Sequence, residues 1–365
     1  MKKLIKNSAW TVSIPIFSWL ILAGTRLNLN LGHAYTILLA ASLIGTVLAA
    51  VHHAEVVARK LGEPFGTLLL AVAITVIEVA LIISLMLAGG PETATLARDT
   101  VFAAVMIIIC GIVGLCLLIG GVLYKEQEFK LHGANAALTT LAAIVVLTLI
   151  LPNHTYTTVG PTYSAGQLGF IALISLILYG TFVFVQVKRH RNYFLDESDS
   201  IEHADIPHPN TGISTKTAAL SFGLLLICLV AVVLLAKSLA PSMESAIAWL
   251  GAPQKLAGVI IASIVLLPEG LAAVRAARKN LFQTSLNLAL GSALATIGLT
   301  IPAIAILSLV TGWTLILGID MKSTVLLLLA LFVSSLSLIT GRTNVLQGII
   351  LLVIFAVYLL TTIIP

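Results

Sequence analysis

Charge is what this chain has least of. Of its 365 residues, 10% are Asp, Glu, Lys or Arg, against roughly a quarter in a soluble domain. That scarcity excludes a water-facing surface over most of the molecule. Cysteine is scarce too. Cys110, Cys116 and Cys228 stand inside apolar runs, with no C-x-x-C pair and no Cys/His metal spacing, so they read as small core residues. No HExxH occurs, and no His or Asp lies deep enough in an apolar run to build a nucleophilic or metallohydrolase centre. The alternating ten-residue strands of an outer-membrane barrel are missing, so membrane spans here are helices. What is abundant is hydrocarbon: 59% of residues are hydrophobic, in runs that reach the roughly 20 residues needed to cross about 30 Å of bilayer core. The formal charge of +5 belongs to loops and gives no nucleic-acid footprint.

Eleven spans are expected, near 10–24, 34–58, 65–88, 99–123, 134–151, 166–187, 216–239, 254–276, 283–310, 322–340 and 345–364. The opening "MKKLIKNSAWTVSIPIFSWLILAG" has the look of a signal peptide, but no A-x-A site follows, so an uncleaved first helix is expected. With the N-terminus in the cytoplasm, fifteen Lys and Arg fall on the inner side, Arg59, Lys60, Lys188, Arg189, Arg275 and Arg278 among them. Five fall outside: Arg26, Arg98, Lys237, Lys255 and Lys322. Positive charge stays inside, so the C-terminus is expected outside.

The loop 188–215 interrupts this pattern with Asp196, Glu197, Asp199, Glu202 and Asp205, accompanied by His190, His203 and His208. It reads as a solvated linker or as an acidic segment that senses cations, with histidines adding pH sensitivity. The expected division is 1–30 as an extra helix, 31–187 and 216–365 as two five-helix repeats, and 188–215 as the cytoplasmic linker.

The halves share a pattern. "EVVARKLGEP" at 55–64 and "ESAIAWLGAP" at 244–253 both fit E-x5-L-G-x-P. A lone carboxylate follows each, Glu78 fourteen residues after Pro64 and Glu269 sixteen after Pro253. Five crossings is an odd number, so the second repeat enters from the opposite face. The expected fold class is therefore an all-α polytopic membrane protein of eleven transmembrane helices, one extra N-terminal helix plus two inverted five-helix repeats. At 1.5 Å per residue Glu78 lies roughly 16 Å along from Thr67, near mid-bilayer. Inverted repeats meeting at a midplane site are the architecture of secondary transporters.

An ionised glutamate at the bilayer centre costs several kcal/mol, so it persists by being protonated, paired or turned to a cavity. Desolvation favours the protonated form when the site is empty, and a bound cation favours the ionised one. The same oxygens then hold protons or a metal ion, each excluding the other. Hard cations take oxygen ligands, so hydroxyls are expected to complete the shell: Thr75 and Ser84 near Glu78, Ser263 near Glu269, and Ser292, Thr296 and Thr300, which share one helical face. Within membrane helices such hydroxyls also satisfy backbone carbonyls or pack helices. Pro268 frees a carbonyl beside Glu269 or merely kinks its helix. Gly111, Gly114, Gly291 and Gly298 allow close backbone approach, whether for a site or for packing. Glu55, with His52 and His53, and its repeat mate Glu244 read as interfacial charges or as an access and proton-relay group.

At "HHAEVVARKLGEPFGTLLLAVAITVIEVALI", "LLPEGLAAVRAARKNLFQTSLNLALGSALATIGLTIP" and "TGRTNVLQG" the chain resembles the calcium/proton exchangers of the cation/calcium antiporter superfamily, over about residues 50–364. The resemblance implies that Glu78 and Glu269 are the signature glutamates, that Ser292 is the serine of the partner helix, and that an acidic segment separates the repeats. Family members usually carry Gly-Asn three residues before the glutamate, where this chain has Thr75 and Leu266. Thr296 stands where Gln is common, and Gly114 near an expected Asn. Fewer amide oxygens imply a broader exchanger accepting sodium or potassium as well as calcium. The resemblance also implies a bacterial inner membrane, with inorganic cations, protons and the lipid bilayer as partners and no nucleic acid. Homo-oligomerisation is left open, and no cofactor is expected beyond the transported ions. A passive cation channel and a polytopic enzyme stand as the alternatives.

Overall fold

The computed structural model describes residues 9–26, 33–61, 65–194, 213–249, 251 and 253–364. The acidic residues Asp196, Glu197, Asp199, Glu202 and Asp205 lie outside the described residues. So do Gly62–Pro64 of the first repeated motif and Leu250 and Ala252 of the second.

Among the described residues eleven long helices follow one another: α1 Ala9–Arg26, α2 His33–Leu61, α3 Phe65–Gly89, α4 Leu96–Tyr124, α5 Leu131–His154, α6 Ala165–Arg189, α7 Thr215–Trp249, α8 Lys255–Arg278, α9 Phe282–Thr311, α10 Met321–Leu338 and α11 Val345–Ile363. No strand occurs among the described residues, as expected where hydrocarbon leaves backbone amides no partner but their own helix. Nine of these helices are long and apolar enough to cross a bilayer, while α1 and α3 carry shorter apolar stretches, Ala9–Thr25 and Val72–Leu87. Each expected span has its helix. The largest departure is α7, which runs to Trp249 and not to 239. Pro241 stands inside it, and a proline inside a membrane helix is tolerated once neighbours satisfy the freed carbonyl.

The chain forms two compact units, Met1–Gly90 with Pro207–Gly251, and Pro91–Ile206 with Ala252–Pro365. In the first, α7 lies along α2 and also packs on α3, while α1 packs on α2. The α1–α2 seam is polar and buried. Tyr35 donates to the Ile21 carbonyl at 2.6 Å, the Ser18 and Thr46 hydroxyls are 2.7 Å apart, and His53 Nε2 lies 3.2 Å from the Thr11 carbonyl.

The second unit is built around α4, whose residues Ala97–Met106 are all buried. A helix apolar all round belongs in such a centre. It packs against α8, α9 and α11 and loosens into π-type turns at Ile107–Ile112. Glycines set the crossings. A Cβ on Gly348 of α11 would fall 2.5 Å from the Leu118 amide nitrogen, and one on Gly258 of α8 would fall 2.7 Å from the Asp99 carbonyl carbon. The second crossing holds a buried ion pair: Arg98 Nε donates to Asp99 Oδ1 at 2.9 Å and Arg98 Nη1 to the Gly318 carbonyl at 2.9 Å. Arg98, read from sequence as a loop charge, is thus a fastener between α4 and the chain entering α10.

Asp320 precedes α10 and accepts from Ser323 Oγ at 2.5 Å and from Lys255 Nζ at 3.0 Å. Partial burial pushes its carboxyl up, but the Ser323 and Lys255 hydrogen bonds and the Lys255 charge prevail and hold it below the usual carboxylate range. A depressed folded value means that the group stabilises the fold above the unfolded value near about 3.9 and stops doing so as pH falls through the folded value. Asp320→Asn is therefore expected to lower thermal stability modestly at pH 7, by no more than about 1 kcal/mol for so exposed a pair. The difference from wild type should shrink as pH falls through the folded value and vanish below it, which thermal unfolding across pH measures.

Candidate functional site

In the first unit Glu78 lies on the packed face of α3, 1% exposed, with Thr75 one turn earlier also buried and Ile82 one turn later. Val72 and Val76, on the other face, are exposed. Side chains three and four apart share a helix face, so Thr75 and Glu78 present their oxygens to the same side. Ser84, the other hydroxyl expected nearby, donates to the Val233 carbonyl of α7 at 3.4 Å, the packing role.

In the second unit α8 buries Gly258, Ala262, Val265, Leu266, Glu269, Ala273 and Ala277, a stripe at three- and four-residue steps. Glu269 is part of that stripe, 9% exposed. Ser263 donates to the Val259 carbonyl at 2.7 Å, so its hydrogen is spent on its own helix. Pro268 stands within α8 and offers no amide to the Ile264 carbonyl four residues back. Pro302 does the same for Gly298 in α9.

A short turn joins α8 to α9, with Asn280 at φ +62°, a value that Asn tolerates better than most residues. The two helices pack together. Glu269 stands eleven residues before Asn280 and Gly291 eleven after, so by this count the antiparallel pair sets Gly291, the neighbour of Ser292, level with Glu269. Ser292 is half-buried, Thr296 and Thr300 are buried, and all three share one face of α9. Within this unit, then, a buried carboxylate, a row of hydroxyls and two proline-freed carbonyls occupy neighbouring helices.

The other expected residues fall elsewhere. Glu55 pairs with Arg59 at 3.2 Å, one turn along α2, with both side chains well exposed. His53 is buried toward α1, so the two do not share a face. Glu55 lies six residues before the end of α2, and Glu244 five before the end of α7. The glycines divide. A Cβ on Gly111 would meet the Phe355 ring at 3.4 Å, one on Gly114 the Leu351 side chain at 3.0 Å, and one on Gly298 the Tyr179 side chain at 2.8 Å, all helix packing. Beside Gly291 there is nothing within 4 Å.

Sequence reasoning passed over the buried amides Gln127 and Gln283. Their signal was present: amide side chains at the very end or start of an apolar run, where a buried amide needs hydrogen-bond partners.

Comparison with known proteins bears on the family and the fold. The chain is 46% identical over 98% of its length to a putative ionic transporter, y4hA, of Sinorhizobium fredii, covering 96% of that protein. It is 35% identical over 95% of its length to the sodium-potassium/proton antiporter ChaA of Escherichia coli, covering 93% of it. Its fold matches that of the solved structure of native YfkE with a TM-score of 0.74 at 18% identity, over 98% of this chain and all of the other. The family model described as sodium/calcium exchanger protein matches residues 31–188 and 220–364, beginning after α1. The chain belongs to the sodium/calcium exchanger protein family of multi-pass membrane transporters.

Proposed function

We propose that this protein expels cytoplasmic cations in exchange for protons by alternating access, with Glu78 and Glu269 holding either the cation or the protons. The observation that carries this reading is a buried glutamate on the packed face of each helix that follows the repeated motif. A buried carboxylate is retained against a cost of several kcal/mol only where it does something. Two such groups carry up to two negative charges, which suits one divalent cation or two monovalent ones. Thr75, Ser292 and Thr296 supply hydroxyl oxygens, and the Ile264 and Gly298 carbonyls, which lack the helical amide that Pro268 and Pro302 cannot offer, add carbonyl oxygens.

The cation classes follow from the donor set and from the relatives. Ca2+, Na+ and K+ are all hard cations for oxygen ligands, and the ChaA relative is a sodium-potassium/proton antiporter by name. A family of exchangers leaves no place for the enzyme reading. In this proposal the protein sits in the bacterial inner membrane with its N-terminus in the cytoplasm, where the Lys and Arg excess lies. Glu55 and Glu244, near the ends of α2 and α7, serve the approaches, and the acidic residues 196–205 adjust apparent affinity without forming the site.

Inverted vesicles carrying a pH dye test this ion by ion. Adding Ca2+, Na+ or K+ to vesicles acidified inside is expected to raise the internal pH as protons leave. Cation entry without proton countermovement would indicate a passive channel and sink the exchange reading. Deleting 194–206 is expected to shift apparent cation affinity while exchange persists. Abolished exchange would contradict a regulatory role.

A further inference from the structure

The turn between α8 and α9 is braced by buried amides to which the exchange reading gives no task. Gln283, in the first turn of α9, is 1% exposed. Its Oε1 accepts the Lys130 backbone N–H at 2.7 Å, and its Nε2 donates to Asn287 Oδ1 at 2.9 Å, one turn on. Asn287 Nδ2 donates in turn to the Phe194 carbonyl. Phe194 is buried, edge-on to Phe182 with ring centroids 5.8 Å apart. Together with Ala137, Leu286 and Gly291 it bounds a crevice too tight for a water molecule. Lys130 Nζ donates to the Asn192 carbonyl at 2.9 Å. On the other arm of the turn, Gln127 Nε2 donates to the Ala277 carbonyl at 3.1 Å and to Asn280 Oδ1 at 2.8 Å.

A buried amide that spends both donor and acceptor fixes its helix in rotation as well as in depth, and dry surroundings strengthen each bond. Cutting this chain of bonds leaves the Lys130 backbone N–H and the Phe194 C=O without those partners and removes what fixes α9 in rotation. Ser292 lies nine residues beyond Gln283, about 13 Å along a rigid helix, and a rotation at one is a rotation at the other. Cation–oxygen distances vary by only about 0.3 Å around their optimum, so a small rotation of α9 is felt as affinity.

We propose that Gln283 and Asn287 are positioning residues for cation binding: braced on Lys130 and Phe194, they set the rotation of α9 and so the cation affinity of its Ser292 and Thr296 face. This rests on the exchange reading above and adds the device that holds the site in register.

The test is cation-driven proton movement in inverted vesicles bearing wild type, Gln283→Met and Asn287→Leu, with Ca2+ and Na+ as probes. The apparent KM for the cation is expected to rise about five-fold or more in each variant while Vmax stays within two-fold, the signature of lost cation binding. Because the two side chains form one chain of bonds, the double variant should be no worse than the larger single. Unchanged KM in protein that assembles like wild type overturns the proposal, as does a fall in Vmax alone or a double variant that multiplies the two effects. Asn287→Asp keeps the shape and the bond from Gln283 but sets a carboxylate oxygen against the Phe194 carbonyl. It should raise KM equally even where Asn287→Leu does not assemble, and a wild-type KM there overturns the proposal as well. Absence of exchange in wild type would sink the functional reading itself, a result distinct from any of these.

Discussion

Glu269→Gln and Glu78→Gln are each expected to reduce cation/proton exchange by at least about 100-fold, about 2.8 kcal/mol at 1.4 kcal/mol per decade. The protein meanwhile assembles as wild type does. Gln keeps the shape of Glu, so no cavity opens in the stripe that α8 buries around Glu269. It also removes the cost of holding a charge away from water, and replacing a buried charge with a neutral isostere is neutral or stabilising when the charge has no structural duty. Thermal unfolding midpoints should therefore hold steady or rise while transport disappears. Stability and function moving in opposite directions is the mark of a carboxylate kept for its chemistry. Two other outcomes would contradict that role: wild-type exchange rates in either variant, or loss of transport accompanied by loss of folded protein.

Gly348→Leu is expected to destabilise the second unit by about 3 kcal/mol or more, beyond the usual range for overpacking. At this crossing the backbones of α4 and α11 touch. A new Cβ would lie 2.5 Å from the Leu118 nitrogen and 2.8 Å from the Gly114 carbonyl oxygen, and neither atom belongs to a side chain that can rotate aside. The helices must part, and α4 is the one on which α8 and α9 also pack. Gly180→Ala in α6 is the control, since nothing lies within 4 Å of its added methyl. It should leave stability unchanged or raise it by up to about 1 kcal/mol from helix propensity. Thermal unfolding in detergent separates the two, and equal midpoints for Gly348→Leu and wild type would show that the crossing yields.

The helices were legible because a bilayer simplifies the problem: length and hydropathy suffice once backbone polar groups must pair internally. The buried carboxylates were legible for the same reason, since Glu78 and Glu269 stand alone in apolar runs where charge is costly. The end of α7 was not legible, because Pro241 carries the same local signal whether it closes a helix or sits within one. Arg98 escaped because a charge at a span's edge looks alike in a loop and in a buried pair. Its partner Asp99 is the next residue, but its acceptor, the Gly318 carbonyl, is set by packing between segments far apart in sequence. The hydroxyls illustrate a third limit. Ser84 and Ser263 satisfy carbonyls while Thr75 shares a buried face with Glu78, and sequence presents all three as a small polar residue near a glutamate. The amide brace at Gln283 depends on the Lys130 backbone N–H, 153 residues away in sequence, and no local pattern announces such a partner.

The account depends on protons and cation competing for one pair of carboxylates, and proton release on cation binding measures this most directly. Purified protein in weakly buffered detergent solution with a pH indicator, titrated with Ca2+ and then with Na+, is expected to acidify the medium as the cation enters. Release should saturate with cation and be absent from the Glu78→Gln/Glu269→Gln double variant. Cation binding with no proton release in wild type, or with undiminished release in the double variant, would contradict it.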